Sequence, residues 1–417
     1  MSVATSDVPI WAISALATGC VISRPWRVPE YVWASAASVI LIVLGLIPLS
    51  TALKAIAEGG DVYLFLIGMM VLAEQARQEG LFDWLARYAA RHANGSGQRL
   101  FDLVFLVGTL VTIFLSNDAT AVVLTPAVYA ACKATRAEPL PYLFICAFIA
   151  NAASFVLPIS NPANLVVFGR HMPPLWEWLT HFSLPSLAAI SLTYLALRLS
   201  QRKQLQKPLA VAVELAPLSA GARLCALGIV LTGSVLLTAS ALDLQLGLPT
   251  FCAGIATTAL IQLRQRRSPQ PVLQHVAWGV IPLVAGLFVL VEAVAQTGLI
   301  ELLAHRLAAF ANHSASRASW VAGVTAAISS NPLNNLPTGL IAGALGNVVD
   351  LPTQTTAALL IGVDLGPNLS ITGSLATLLW LVAIRREGEH VSAMRFLCLG
   401  VLVMPPALAG ALLTLAY

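Results

Sequence analysis

Two carboxylates lie inside apolar runs, each in a patch of amides and hydroxyls: Asp118 in "LSNDAT" (115–120) and Asp364 in "GVDLGPNLSITGS" (362–374). Two further patches, "PISNPAN" (158–164) and "SSNPLNN" (329–335), carry amides without charge. Their polar side chains are the candidate solute ligands: Ser116, Asn117 and Thr120; Ser160, Asn161 and Asn164; Asn331, Asn334 and Asn335; Asn368, Thr372 and Ser374. No Arg, Lys or His stands in any of the four, so an anion would meet only amides and helix dipoles there. A small neutral, hydroxyl-rich solute suits the chemistry, and a cation is the other natural fit. Asp118 and Asp364 are the only groups in these patches that can change charge, which makes them the candidate proton carriers, because ionisable groups inside a membrane are functional by default.

Chemistry of this kind needs a membrane around it, and the composition supplies one. Of 417 residues, 58% are hydrophobic and 10% charged, against roughly a quarter charged in soluble domains, and mean hydropathy is +0.82. The chain reads as an all-α polytopic membrane protein. The first 22 residues lack the basic start and small-residue cleavage site of a leader, so Pro9 to Ile22 is expected to be a retained helix. The cysteines (Cys20, Cys132, Cys146, Cys225, Cys252, Cys398) are dispersed without metal-ligand spacing, and no GxxxxGK[ST] phosphate loop occurs. We therefore expect neither a catalytic residue, nor a resident metal, nor a cofactor, nor a nucleic-acid partner.

The elements that position the four patches follow from the apolar runs. Runs 101–132 and 318–349 exceed one span and have polar centres, which fits re-entrant hairpins of two half-helices. Counting them so leaves about ten full crossings. With the N-terminus outside, that path puts nineteen Lys and Arg on the cytoplasmic side and only Lys54, Arg170, Arg306 and Arg317 outside, as the positive-inside rule requires; both termini are then on the outer side. Five crossings per half is an odd number, so a duplicated half would be inverted. The expected organisation is a first repeat, 1–200, with hairpin 101–133 and broken helix 140–169; a basic cytoplasmic linker, 201–221; and a second repeat, 222–417, with hairpin 318–349 and broken helix 354–384. Aligning the patches puts Asn117 over Asn331 and Ser160 over Thr372. The stretches 79–92 and 298–310 read as amphipathic arms in the interface.

"DLGPN" followed by "GSLATLLW", together with "SNDATAVVLTP", "SNPANLVVF" and "NNLPTGL" in that order, resembles the arsenite/antimonite permease family of the ion transporter superfamily. The resemblance covers essentially the whole chain. It implies a secondary transporter in a bacterial cytoplasmic membrane that exports trivalent arsenite and antimonite as neutral hydroxides in exchange for protons, in some members with a separate ATPase subunit docked on the cytoplasmic face. Within the same superfamily, a sodium/proton antiporter and a silicic acid efflux carrier are the alternatives; a dicarboxylate carrier fits less well, because the patches lack cationic residues.

Overall fold

The computed structural model describes residues 7–169, 172–210 and 216–415, all helix and connections, with no strand among the described residues. Arg170, counted above on the outer side, and residues 211–215 of the linker lie outside the described residues. The first half contains α1 (Val8–Ser23), α2 (Glu30–Val43), α3 (Leu49–Glu58), α4 (Gly60–Gln78) and α5 (Leu81–His92). A hairpin follows, from α6 (Gly97–Phe114) through α7 (Asn117–Ala119) and a π-helical turn (Thr120–Leu124) into α8 (Thr125–Ala134). A broken helix comes next, made of α9 (Leu140–Ala152) and α10 (Pro162–Phe168), and then α11 (Leu175–Ser200) and the single turn α12 (Arg202–Leu205).

The second half repeats this order. It has α13 (Ala220–Ala241), α14 (Gly247–Gln265), the short α15 (Gln270–His275), α16 (Val280–Gln296) and α17 (Leu299–His313). Its hairpin is α18 (Ala315–Leu333) and α19 (Asn335–Val348), its broken helix α20 (Thr353–Leu365) and α21 (Leu375–Arg386), and its last helix α22 (Ala393–Leu415). Contacts between the halves are reciprocal: α4 packs on α14 as α16 packs on α2, and α11 packs on α22.

By length and apolarity alone, four helices qualify as spans, α6, α11, α13 and α22, or six when the bent pairs α3/α4 (47°) and α16/α17 (75°) each count as one. Of the rest, α1, α2 and α9 are apolar but shorter. The broken helices are the most deeply placed: every residue of α9 is buried, as is α20 from Ala357 to Leu365. A helix apolar on all sides belongs in the centre of a bundle, where a break in it faces protein rather than lipid. Small residues let the backbones approach. A Cβ on Gly362 would fall 2.2 Å from the Gly323 carbonyl and one on Gly366 2.3 Å from that of Ala327, so the GxxxG spacing brings α20 onto α18. On α5 the buried stripe is Leu81, Phe82, Ala86, Ala89 and Ala90, whereas the helical spacing of Leu81, Trp84, Leu85 and Tyr88 pointed to those four as its apolar face; Tyr88 is exposed, and Trp84 Nε1 donates to the Ala216 carbonyl.

Candidate functional site

Each helix that follows a break begins with a side-chain cap. Ser116 Oγ accepts from the Ala119 amide at 3.2 Å, Asn161 Oδ1 from Ala163 at 3.1 Å, Asn334 Oδ1 from Leu336 at 3.4 Å and Ser374 Oγ from Thr377 at 3.0 Å. These caps pair amides that a helix start otherwise leaves free, each contributing about 1 kcal/mol. Pro162 stands at the first position of α10, where its missing N–H costs nothing.

The four capped starts meet at one small cavity of about 30 Å³. Asn117 and Asp118 reach it from the first hairpin, Asn161 and Pro162 from α10, Asn335 and Leu336 from α19, and Leu375 and Ala376 from α21. Leu66 of α4 with Val280 and Val284 of α16 closes the remaining wall. Three of these helical runs are long enough to carry a positive N-terminal dipole; α10, with seven residues, no N–H at Pro162 and the Ala163 N–H capped, contributes the Asn161 side chain. The cavity thus sets side-chain amides and positive helix ends around a single carboxylate, Asp118. Neither Asp118 nor Asp364 has a salt-bridge partner among the described residues. At the opposite ends of α10 and α19, which pack side by side, a larger cavity of about 250 Å³ is lined by Phe168, Glu177, Gly346 and Asp350.

The other candidate residues build the frame of the breaks. Ser160 Oγ donates to the Ile113 carbonyl (2.9 Å), one of those left open at the end of α6. Asn164 Nδ2 donates to three loop carbonyls, Ser154 (2.8 Å), Leu157 (3.1 Å) and Pro158 (3.2 Å), which holds the first break open in a fixed shape. Thr120 and Thr112 share a 2.8 Å hydroxyl bond within the first hairpin. Asn368 accepts from Asn151 Nδ2 (3.0 Å) and donates to the Phe148 carbonyl (3.0 Å). Thr372 Oγ1 donates to the Asn331 carbonyl at 3.1 Å, and Ser370 Oγ to Asn331 Oδ1 at 2.6 Å. Asp364 is fully buried outside the cavity, its Oδ1 accepting from Asn161 Nδ2 at 2.7 Å.

The second hairpin breaks later than its Ser-Asn centre implied. α18 runs on through Pro332 to Leu333, and the turn falls at Asn334, whose φ of 77° and ψ of 154° lie in a region that glycine alone enters easily. Proline cannot donate to the carbonyl four residues back. Asn331 compensates, its Nδ2 donating to the Ala327 (2.8 Å) and Ile328 (3.5 Å) carbonyls. Asn117 therefore corresponds to Asn335, not to Asn331, since these two residues open the helices after the hairpin turns. Sequence reasoning passed over Asn151 and the wall residues Leu66, Val280 and Val284. An isolated amide or aliphatic residue in an apolar helix carries no local mark of such a position.

A family model described as citrate transporter (CitMHS) matches residues 18–384. The chain belongs to that family. It is also 30% identical to the arsenical pump membrane protein of Yersinia enterocolitica and 29% identical to that of Escherichia coli, each over 84% of both chains. An uncharacterized transporter of Mycobacterium tuberculosis is 27% identical over 86% of both. The crystal structure of the Alcanivorax borkumensis YdaH transporter, described as having an unusual topology, superposes with a TM-score of 0.60 at 17% identity, covering 92% of this chain and 96% of that one, and so shares its fold. The family resemblance read from the four motifs is borne out, and the chain is a multi-pass membrane transporter, not an enzyme.

Proposed function

We propose that the chain exports arsenite and antimonite as neutral trihydroxides in exchange for protons, with the cavity at the four helix starts as the solute site. The observation that carries this reading is the convergence of Asn117, Asn161, Asn335 and Asp118 on one small cavity with no cationic lining residue. An uncharged hydroxide can both donate to the amide oxygens and accept from the helix-start N–H groups. Neutral amide sites also release such a solute readily, whereas a set of thiolates would hold trivalent arsenic tightly. Among the cysteines, Cys132, Cys146 and Cys225 are buried and Cys252 and Cys398 exposed, and none lines the cavity. The relatives named as arsenical pumps support the substrate class.

Proton exchange is assigned to Asp118, which faces the solute, and to Asp364, which touches a cavity residue from behind. The repeats are taken as 1–200 and 222–417, inverted across the membrane, with both termini on the outer face of a bacterial cytoplasmic membrane. On that orientation, the seam between α10 and α19 leads toward the larger cavity on the outer side. An ATPase subunit is an optional partner on the cytoplasmic face, because the exchange itself needs only the proton gradient.

The family's description raises citrate as a second reading, and the positive helix ends favour an anion. Size and charge oppose it: about 30 Å³ beside a carboxylate admits a solute of a few atoms rather than a tricarboxylate. The deciding experiment expresses this chain alone in an arsenite-sensitive host and follows efflux with and without a protonophore. Efflux that the protonophore abolishes is the expected result. Efflux indifferent to it, or citrate uptake without arsenite efflux, overturns the reading.

A further inference from the structure

Asp364 and Asn151 hold matching places in the two halves. Asp364 is the last residue but one of α20, and Asn151 the last but one of α9. Both are fully buried, and each reaches across to the half-helix of the other repeat. Asp364 Oδ1 takes the amide of Asn161, the residue whose Oδ1 caps α10. Asn151 Nδ2 donates to Thr377 Oγ1 at 3.3 Å, and Thr377 is the residue whose amide is capped by Ser374 at the start of α21. So the starts of α10 and α21, two of the four that line the cavity, are each held by a side chain from the other half. One of the two holders can change charge; the other cannot.

We propose that Asp364 is a proton-operated positioning residue that acts on the cavity through Asn161, and that Asn151 is its fixed counterpart, holding α21 in the same way at every pH. Asp364 Oδ2 is buried without a hydrogen-bond partner, and so is Asn151 Oδ1. A proton on Oδ2 turns an unpaired acceptor into a donor, while a charged carboxylate there has only the Asn161 amide and the Ser154 hydroxyl beside it and no cation. The hydroxyl of Ser154 lies beside the carboxyl. From the other packed elements, α10 presents Asn161, and α18 presents Ser330, which bonds the Val363 carbonyl. The titratable side chains on the elements packed against α20, Tyr142 and Cys146 on α9, Arg317 on α18, Arg395 and Cys398 on α22, and Glu177, His181, Tyr194 and Arg198 on α11, make none of their bonds with Asp364.

When Asp364 gains or loses its proton, the pull on Asn161 Nδ2 changes. The other end of that amide holds the first turn of α10, so α10 tightens or frays at the cavity edge. A switch on one wall and a fixed brace on the opposite wall make proton binding move α10 relative to α21. This deepens the exchange reading by giving Asp364 a task distinct from that of Asp118, and its test contains no arsenite.

Amide hydrogen exchange by mass spectrometry on the purified full-length chain reads it directly, at pH 5.5 and pH 8 after correction for the intrinsic rates. The expected result is a change in protection of residues 162–168 of about tenfold between the two pH values, absent in Asp364→Asn, while residues 375–386 stay constant in both proteins. Asn151→Ala should lower protection of 375–386 equally at both pH values. If Asp364→Asn does not fold, Asn161→Ala serves in its place: it cuts the bond to Asp364, and protection of 162–168 should then be low and equal at both pH values. Equal pH responses of the two segments, no response in either, or a response of α10 that survives Asp364→Asn would overturn the proposal. Because the readout lacks solute, failure of the arsenite reading would leave this result standing, and the converse also holds.

Discussion

The two hairpins are built from the same parts and fastened differently. The second is sewn to its own broken helix: Asn331 bonds the Gly366 carbonyl and receives Ser370, Asn334 Nδ2 donates to the Thr372 carbonyl, and the Asn335 amide donates to that of Gly373 at 2.8 Å. Backbone rests on backbone where α18 meets α20 at Gly362 and Gly366. The first hairpin has the Ser160 hydroxyl on Ile113 as its side-chain bond to the break, and Gly108 faces the side chain of Ile149 rather than main chain. It also holds the π-helical turn and Asp118. The mobile chemistry therefore sits on the loosely fastened hairpin, and the fixed reference on the sewn one. Local opening follows contact density and hydrogen bonding, so the first hairpin should be the element that yields during exchange.

That contrast breaks most sharply at the helix contact. Gly366→Ala would put a methyl group against the Ala327 backbone, which no side-chain rotation relieves; we expect a loss of about 2–3 kcal/mol, read as the midpoint shift in a detergent or denaturant titration. Asn331→Ala removes the Ser370 and Gly366 bonds and uncovers the carbonyl freed by Pro332. It should cost about 1–3 kcal/mol and loosen residues 366–374 in limited proteolysis. Ser160→Ala should cost only about 0.6 kcal/mol yet raise hydrogen exchange in 113–120, since it removes the stitch between α6 and the first break. Gly108→Ala should cost less still, about 0.5 kcal/mol, because the Ile149 side chain that it meets at 3.0 Å needs to shift by only a few tenths of an ångström. If Gly108→Ala proved as damaging as Gly366→Ala, the two hairpins would be equally rigid and the comparison would fail.

Much of this was legible in the sequence because polar and proline residues inside apolar runs have few explanations. Ser116, Asn161, Asn334 and Ser374 could be placed at breaks before their capping bonds were seen, since Ser and Asn are the side chains that satisfy a helix start. The exact turn of the second hairpin was not legible. The polar centre 329–335 marks a break somewhere within it, but not that α18 continues through Pro332 to Leu333 with Asn331 Nδ2 on the Ala327 and Ile328 carbonyls. Nor could the sequence separate Asp118 from Asp364: both are acids beside amides, and what distinguishes them is that one faces the cavity and the other the back of Asn161. Asn164 and Asn368 read as ligands by type, but their amide donors are directed at carbonyls of the breaks.

The central claim is that one carboxylate at the meeting point of four helix starts exchanges a proton for an uncharged hydroxide. Arsenite uptake into everted vesicles driven by an imposed pH gradient, compared between wild type and Asp118→Asn at equal membrane abundance, tests it most directly. Accumulation in wild type that collapses with a protonophore and is absent in the variant is the predicted result; wild-type accumulation by Asp118→Asn would contradict it.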